Sequence, residues 1–170
     1  MSKILIVPNP ILRKKANKLD IVEKEDIDIS KQMIQIMKEA PGVGLAANQI
    51  GILKQIITVN IEDDQNKTSK VYSLFNPIIK KFSDEKILME EGCLSIPKQF
   101  AEIERPSSII VQYLNEDNQK IEEKKTGYEA RVIQHEIDHL SGKLFIDHLS
   151  SLKRNMIMKR VKKLKKLGEI

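Results

Sequence analysis

Apolar residues recur along the chain with two different periods, and the changes between them mark out its elements. From about Asp26 to Ala40, Ile29, Met33, Ile36 and Met37 return at helical spacing, and Pro41-Gly42 stops the run. An extended segment precedes this helix. Gln55–Asn60 and Val71–Ile79 are rich in β-formers and predict strands, with polar, turn-like Glu62–Lys70 between them. Ile87–Met89 and Ser107–Leu114 predict further strands, and Asn115–Asn118 a hairpin turn leading into Gln119–Lys125. After Gly127 the pattern becomes helical, with Tyr128, Val132, His135 and His139 on one face. Gly142 is placed to end that helix in a left-handed cap. A last helix starts near Ser150-Ser151, which can cap it, and runs to about residue 168; Leu152, Met156, Val161 and Leu164 are set among its lysines. Strands grouped in the middle, with helices before and after, predict an α+β fold with mainly antiparallel sheet.

Composition narrows the class. A chain of 170 residues, 41% hydrophobic and 31% charged, suits one domain spanning 1–170. Its single cysteine, Cys93, excludes an internal disulfide. The apolar stretch Ile4–Val7 is too short for a signal-peptide core, and no later run approaches a membrane span, so a cytoplasmic location and no membrane partner are expected. Net charge is +5, but residues 153–170 hold eight basic residues against one acid, Glu169. The body is slightly acidic, and contact with a polyanion is to be sought in the tail.

The most specific chemical feature is His135-Glu136-Ile137-Asp138-His139. Residues i and i+4 of a helix project side by side, so both imidazoles can bind one metal ion. Glu136 turns about 100° away from His135 and is free to act as a general base towards a metal-bound water. A catalytic site needs a third protein ligand and an open position. One metalloprotease class places a further His six residues after the second, where this chain has Phe145; another uses a downstream Glu, and the tail offers only Glu169. His148 and Cys93 remain. His148 lies beyond the expected helix end and suits a surface or structural role. Cys93, preceded by Gly92, offers a thiolate that completes a Cys-His-His set and is the stronger candidate.

Three separated motifs, Gly42–Gln49 (GVGLAANQ), Glu91–Ser95 (EGCLS) and Gln134–Leu140 (QHEIDHL), resemble those of peptide deformylases in order and spacing along almost the whole chain. The resemblance implies antiparallel sheets packed around a central helix that carries the HExxH pair. It implies hydrolytic removal of the N-formyl group from the initiator methionine of new polypeptides, releasing formate. Cys93, His135 and His139 then correspond to the metal ligands, for Fe²⁺ or Zn²⁺. Glu136 corresponds to the general acid/base as metal-bound water attacks the formyl carbon. Gln49, through its side-chain amide, and Leu94, through its backbone N–H, correspond to the oxyanion donors. Val43, Met89, Tyr128 and Val132 match the methionine pocket, and backbone near Gly44 is left to pair with an extended peptide. Many family members have an arginine where this chain has Phe100, so contacts beyond the methionine are expected to differ. Arg105 can pair with Glu91 to hold the cysteine segment.

The basic tail resembles a ribosome-docking element, whose RNA contact would be salt-dependent. Lysines that are merely solvated are the competing reading, since no aromatic residues are interleaved for base stacking. Two other functions compete with the deformylase. A general metallopeptidase lacks its ligand at Phe145, and a noncatalytic RNA-binding protein with a structural metal leaves Glu136 and Gln49 without a task.

Overall fold

The computed structural model describes residues 4–63 and 66–170. The first helix, α1 (Lys24–Glu39), has the expected extent within two residues, and the Asp26 carboxylate accepts a hydrogen bond from the Glu23 N–H at its start. Five strands then form one antiparallel sheet in the order β1-β2-β3-β6-β7: β1 (Gly44–Ala46), β2 (Ile56–Asp63), β3 (Thr68–Phe82), β6 (Ser108–Leu114) and β7 (Lys120–Thr126). Two more, β4 (Lys86–Cys93) and β5 (Ile96–Pro106), pair with each other in a second, two-stranded sheet.

The polar stretch Glu62–Lys70 is less of a turn than its composition suggests. The ladder between β2 and β3 continues through Ile61 opposite Lys70 and Asp63 opposite Thr68. Glu62, Thr68, Ser69 and Lys70 are exposed, and backbone pairing there needs no apolar face. Asp64 and Gln65 lie outside the described residues. The Asn115–Asn118 turn forms as expected: the Asn115 side chain accepts from the N–H groups of Asp117 and Gln119, and Asn118 takes a left-handed conformation.

Helix α2 (Gly127–Leu140) lies at the centre. Its Ala130, Ile133 and Leu140 pack on Ile57, Val59, Leu74, Ile109 and Val111 of the large sheet. Burial of an aliphatic side chain of this size contributes roughly 1.5–3 kcal/mol. The helix ends at Gly142, whose φ of 72° is left-handed, and a Cβ there would stand 2.6 Å from the Arg13 carbonyl carbon. Glycine is therefore required twice over, for its backbone angle and for the close approach of the N-terminal segment.

After a short 3₁₀ turn (Phe145–His148) the chain enters α3 (Ser151–Lys166), where the Ser150 hydroxyl caps the Lys153 N–H. Ile157 and Val161 of α3 pack with Ile96 and Ile103 of β5 and with Leu144–Ile146. A third cluster joins Met33 and Met37 of α1 to Leu45, Ile56 and Phe75. Thus α2 runs between the five-stranded sheet and the β4–β5 hairpin. Among the described residues, no helix is long and apolar enough to cross a membrane.

Candidate metal centre

Two elements deliver the candidate ligands. His135 and His139 are one turn apart on α2, and Cys93 ends β4 immediately before the Leu94-Ser95 turn. One donor atom from each lies within 4.8 Å of the others, and Cys93 Sγ is 3.3 Å from His139 Nε2. His148, the other sequence candidate, is not in this group.

The arrangement suits a metal ion on its own chemistry. His135 Nδ1 is 3.0 Å from a Glu91 carboxylate oxygen, which fixes the ring and leaves Nε2 for the cluster. Burial works against charge on both imidazoles. It pushes the His139 pKa well below the usual range, keeping that ring neutral with a lone pair to donate. At His135 the hydrogen bonds to Cys93 and Glu91 outweigh burial and raise the pKa well above the usual range. A thiol, two imidazoles and a carboxylate so disposed call for positive charge among them. Soft sulfur with two nitrogens is a donor set for Fe²⁺ or Zn²⁺.

Glu136 sits beside this group. It is buried, its Oε2 has no hydrogen-bond partner, and burial pushes its carboxyl up to about 7. Gly44 makes room for it, since a Cβ there would stand 2.8 Å from Glu136 Cγ. Gln49 is oriented at both ends of its amide. The oxygen accepts from the Ala46 N–H at 2.9 Å, and Nε2 donates to Ser95 Oγ at 3.1 Å and towards Cys93 Sγ at 3.6 Å. The Gly42 loop packs against Leu94, where a Cβ on Gly42 would be 2.7 Å from Leu94 Cδ1. The three motifs, far apart in sequence, meet around one cavity of about 460 Å³.

The family model for polypeptide deformylase matches residues 1–155. The chain belongs to the polypeptide deformylase family. It is 46% identical to the peptide deformylase of Pelagibacter ubique, over 97% of this chain and 95% of that one. The crystal structure of the Ehrlichia chaffeensis peptide deformylase superposes with a TM-score of 0.93 at 34% identity, covering 99% of this chain and 98% of that one. A peptide deformylase from Acinetobacter baumannii, crystallised with Met-Ala-Ser bound, superposes with a TM-score of 0.80 at 31% identity, over 88% of this chain and 100% of that one. Membership agrees with the resemblance carried by the three motifs.

Within that family framework, the cavity wall includes Val43, Gly44, Gln49, Cys93, Leu94, Tyr128, Val132, His135 and Glu136. Met89 is not brought in with them. The wall begins at Glu90, and Met89 lies one residue further along β4 with its side chain exposed. Phe100 stands on the rim, two-thirds exposed, its ring so close over Gly92 that a Cβ there would be 2.6 Å from Phe100 Cε1.

Beneath the ligands lies a buried ionic network that the sequence showed only in part. Arg105 pairs with Glu91 as expected, through Nε at 2.5 Å and Nη2 at 3.1 Å. Arg131 on α2 also donates to Glu91 at 2.7 Å, and to the Ile87 and Ile103 carbonyls. Arg105 Nη1 reaches Asp138 at 2.9 Å, and His148 Nε2 meets the same Asp138 oxygen at 3.0 Å. Burial pushes the Glu91 carboxyl up, but the hydrogen bonds it accepts from His135 and Arg105 hold it down to about 2. Arg131, Asp138 and Ser95 were missed at the sequence level. A signal existed: Arg131, His135 and Asp138 are spaced i, i+4, i+7 and therefore share a face.

Proposed function

We propose that this chain hydrolyses the formyl amide of N-formyl-methionyl peptides, the nascent chains of bacterial-type translation, and releases formate. The observation that carries the reading is the Cys93–His135–His139 cluster standing beside the unpartnered Glu136 Oε2 in an open cavity. Family membership supports it, and the Met-Ala-Ser bound to the Acinetobacter baumannii relative supports a peptide that begins with methionine.

Cys93, His135 and His139 would hold one divalent ion, Fe²⁺ or Zn²⁺. When bound, such an ion supplies a Lewis acid and makes water acidic near neutral pH. Glu136 takes a proton at Oε2 as water adds to the formyl carbon, then returns it to the departing amine. Gln49 Nε2 and the Leu94 N–H donate to the oxygen that gains charge, and Gln49 is held for this by its bond from Ala46. The methionine side chain lies against Val43, Tyr128 and Val132. Strand β1 is an edge strand that pairs only with β2, so the backbone at Gly44 can add an extended peptide to the sheet.

The whole chain, 1–170, acts as this catalytic unit in the cytoplasm, with neither a membrane nor DNA as partner. The basic helix α3 provides a surface for ribosomal RNA.

The test is formate release from formyl-Met-Ala-Ser, with acetyl-Met-Ala-Ser and the unblocked peptide as controls. Protein is purified without oxygen and assayed before and after chelation and return of a single metal. Formate release without peptide-bond cleavage, lost on chelation and restored by Fe²⁺ or Zn²⁺, is expected. Protein holding one metal per chain that releases no formate overturns the reading.

A further inference from the structure

We infer that His148 is a positioning residue for the metal centre, acting through Asp138, Arg105 and Glu91 on the ring of His135. The inference rests on the proposed metal-dependent hydrolase, and it assigns a task to the one histidine outside the ligand set.

Four contacts connect the two imidazoles. His148 Nε2 is 3.0 Å from Asp138 Oδ2. The same oxygen accepts from Arg105 Nη1 at 2.9 Å. The other two donors of Arg105 grip both oxygens of Glu91. Glu91 Oε2 in turn meets His135 Nδ1 at 3.0 Å. Asp138 Oδ2 already accepts from the Arg105 guanidinium as a carboxylate oxygen, so in its contact with His148 the imidazole Nε2–H is the donor.

The network is dry at the centre and wet at one end. Side-chain exposure is 4–6% for Arg105, Glu91 and Arg131, but 23% for Asp138 and 24% for His148. Asp138 is therefore the point where water can compete for Arg105. His148 occupies the second approach to that carboxylate oxygen and keeps Asp138 aimed inward.

His148 is itself set in place. The preceding Asp147 accepts from the Leu144 N–H at 2.9 Å and binds Arg13 at 2.5 Å, while Arg13 also donates to the Gly142 carbonyl. A rigid 3₁₀ turn, fastened to the N-terminal segment, thus delivers the imidazole to Asp138. Partners that orient a metal-binding histidine directly are worth about 10–100-fold in metal affinity. At three residues' remove the effect should be smaller, about 3–10-fold.

The experiment compares wild-type protein with His148→Phe, which keeps a ring but removes the donor, and His148→Gln, whose Nε2–H can replace it. Each is loaded with Zn²⁺, and the rate of Zn²⁺ transfer to excess chelator is measured together with kcat, KM and the denaturant midpoint. We expect His148→Phe to lose Zn²⁺ about 3–10-fold faster, with kcat lowered and KM unchanged, and His148→Gln to restore both rates. Wild-type Zn²⁺ loss in His148→Phe, or failure of Gln to rescue a folded variant, overturns the proposal. A lowered denaturant midpoint without faster Zn²⁺ loss reduces His148 to a structural residue and also overturns it. Wild-type protein that binds no Zn²⁺ refutes the metal centre as well as this inference. Wild-type protein that binds Zn²⁺ and releases formate while the variants match it refutes this inference alone.

Discussion

The two sides of helix α2 are held by opposite physics. Towards the five-stranded sheet, Ala130, Ile133 and Leu140 meet Ile57, Val59, Leu74, Ile109 and Val111, and the contact is apolar except at the helix's first turn, where Glu129 accepts from Tyr72 and Lys125. Towards the β4–β5 hairpin, Arg131, His135 and Asp138 meet Glu91 and Arg105, and the contact is almost wholly ionic. The apolar side supplies stability without direction, since burial is proportional to area and tolerant of detail. The ionic side supplies direction at high cost, since each buried charge must keep its partner. The candidate ligand His135, and the strand that ends in Cys93, lie on the directional side. A change on one side should therefore move stability alone, and on the other stability and metal binding together.

The largest expected effect separates chemistry from both kinds of support. Glu136→Gln removes the proton acceptor while keeping the side chain's shape beside Gly44. We expect kcat to fall by about 10²–10⁴. Because Glu136 Oε2 has no partner in a buried setting, a neutral amide should leave the melting temperature unchanged or raise it. Steady-state formate release and a thermal melt on the same preparation check this. Retention of more than a tenth of wild-type kcat would remove Glu136 from the proton-transfer role.

Next in size is the centre of the ionic side. Glu91→Ala leaves Arg105 and Arg131 buried without their shared carboxylate and frees His135 Nδ1. Breaking a buried pair in this way typically costs about 3–5 kcal/mol. Loss of a direct partner of a metal-binding histidine costs about 10–100-fold in affinity. Denaturant titration and chelator competition should thus both register the change. A destabilised variant with wild-type Zn²⁺ affinity would break the proposed link between the network and the metal.

The same contrast explains what could be read from the sequence. The apolar side was legible, because Ile109, Val111 and Tyr113 alternate at strand period and α1 repeats at helical period, each local pattern reporting its own burial. The candidate ligands stand out in the sequence because His135 and His139 are four apart and Cys93 lies in a motif. The hairpin's true extent was not. Lys86–Glu90 are all exposed, so β4 shows no alternation, and on β5 two of the inward positions are the polar Gln99 and Arg105. Hydropathy cannot mark a strand whose buried residues are charged. Nor could spacing assign partners to Glu91, which takes Arg105, Arg131 and His135 from two other elements at separations of 14, 40 and 44 residues. Spacing gives His148 a surface or structural role, and only the return of the chain past Gly142 brings it to Asp138.

The smallest effect gives the sharpest separation, because it tests the apolar side on the same helix. Ile133 is fully buried against the sheet, two residues before His135. Ile133→Val removes one methylene and should lower stability by about 0.5–1.5 kcal/mol. If α2's two sides are as independent as their contacts suggest, Zn²⁺ affinity and kcat should stay within error of wild type, as measured on the preparation used for the denaturant titration. A rise in Zn²⁺ loss comparable with that of His148→Phe would mean that sheet packing also sets the ligand geometry. The ionic side would then not be the sole keeper of direction. A silent metal centre, with the stability change present, would confine positioning to the charged network and make Ile133 a purely energetic residue.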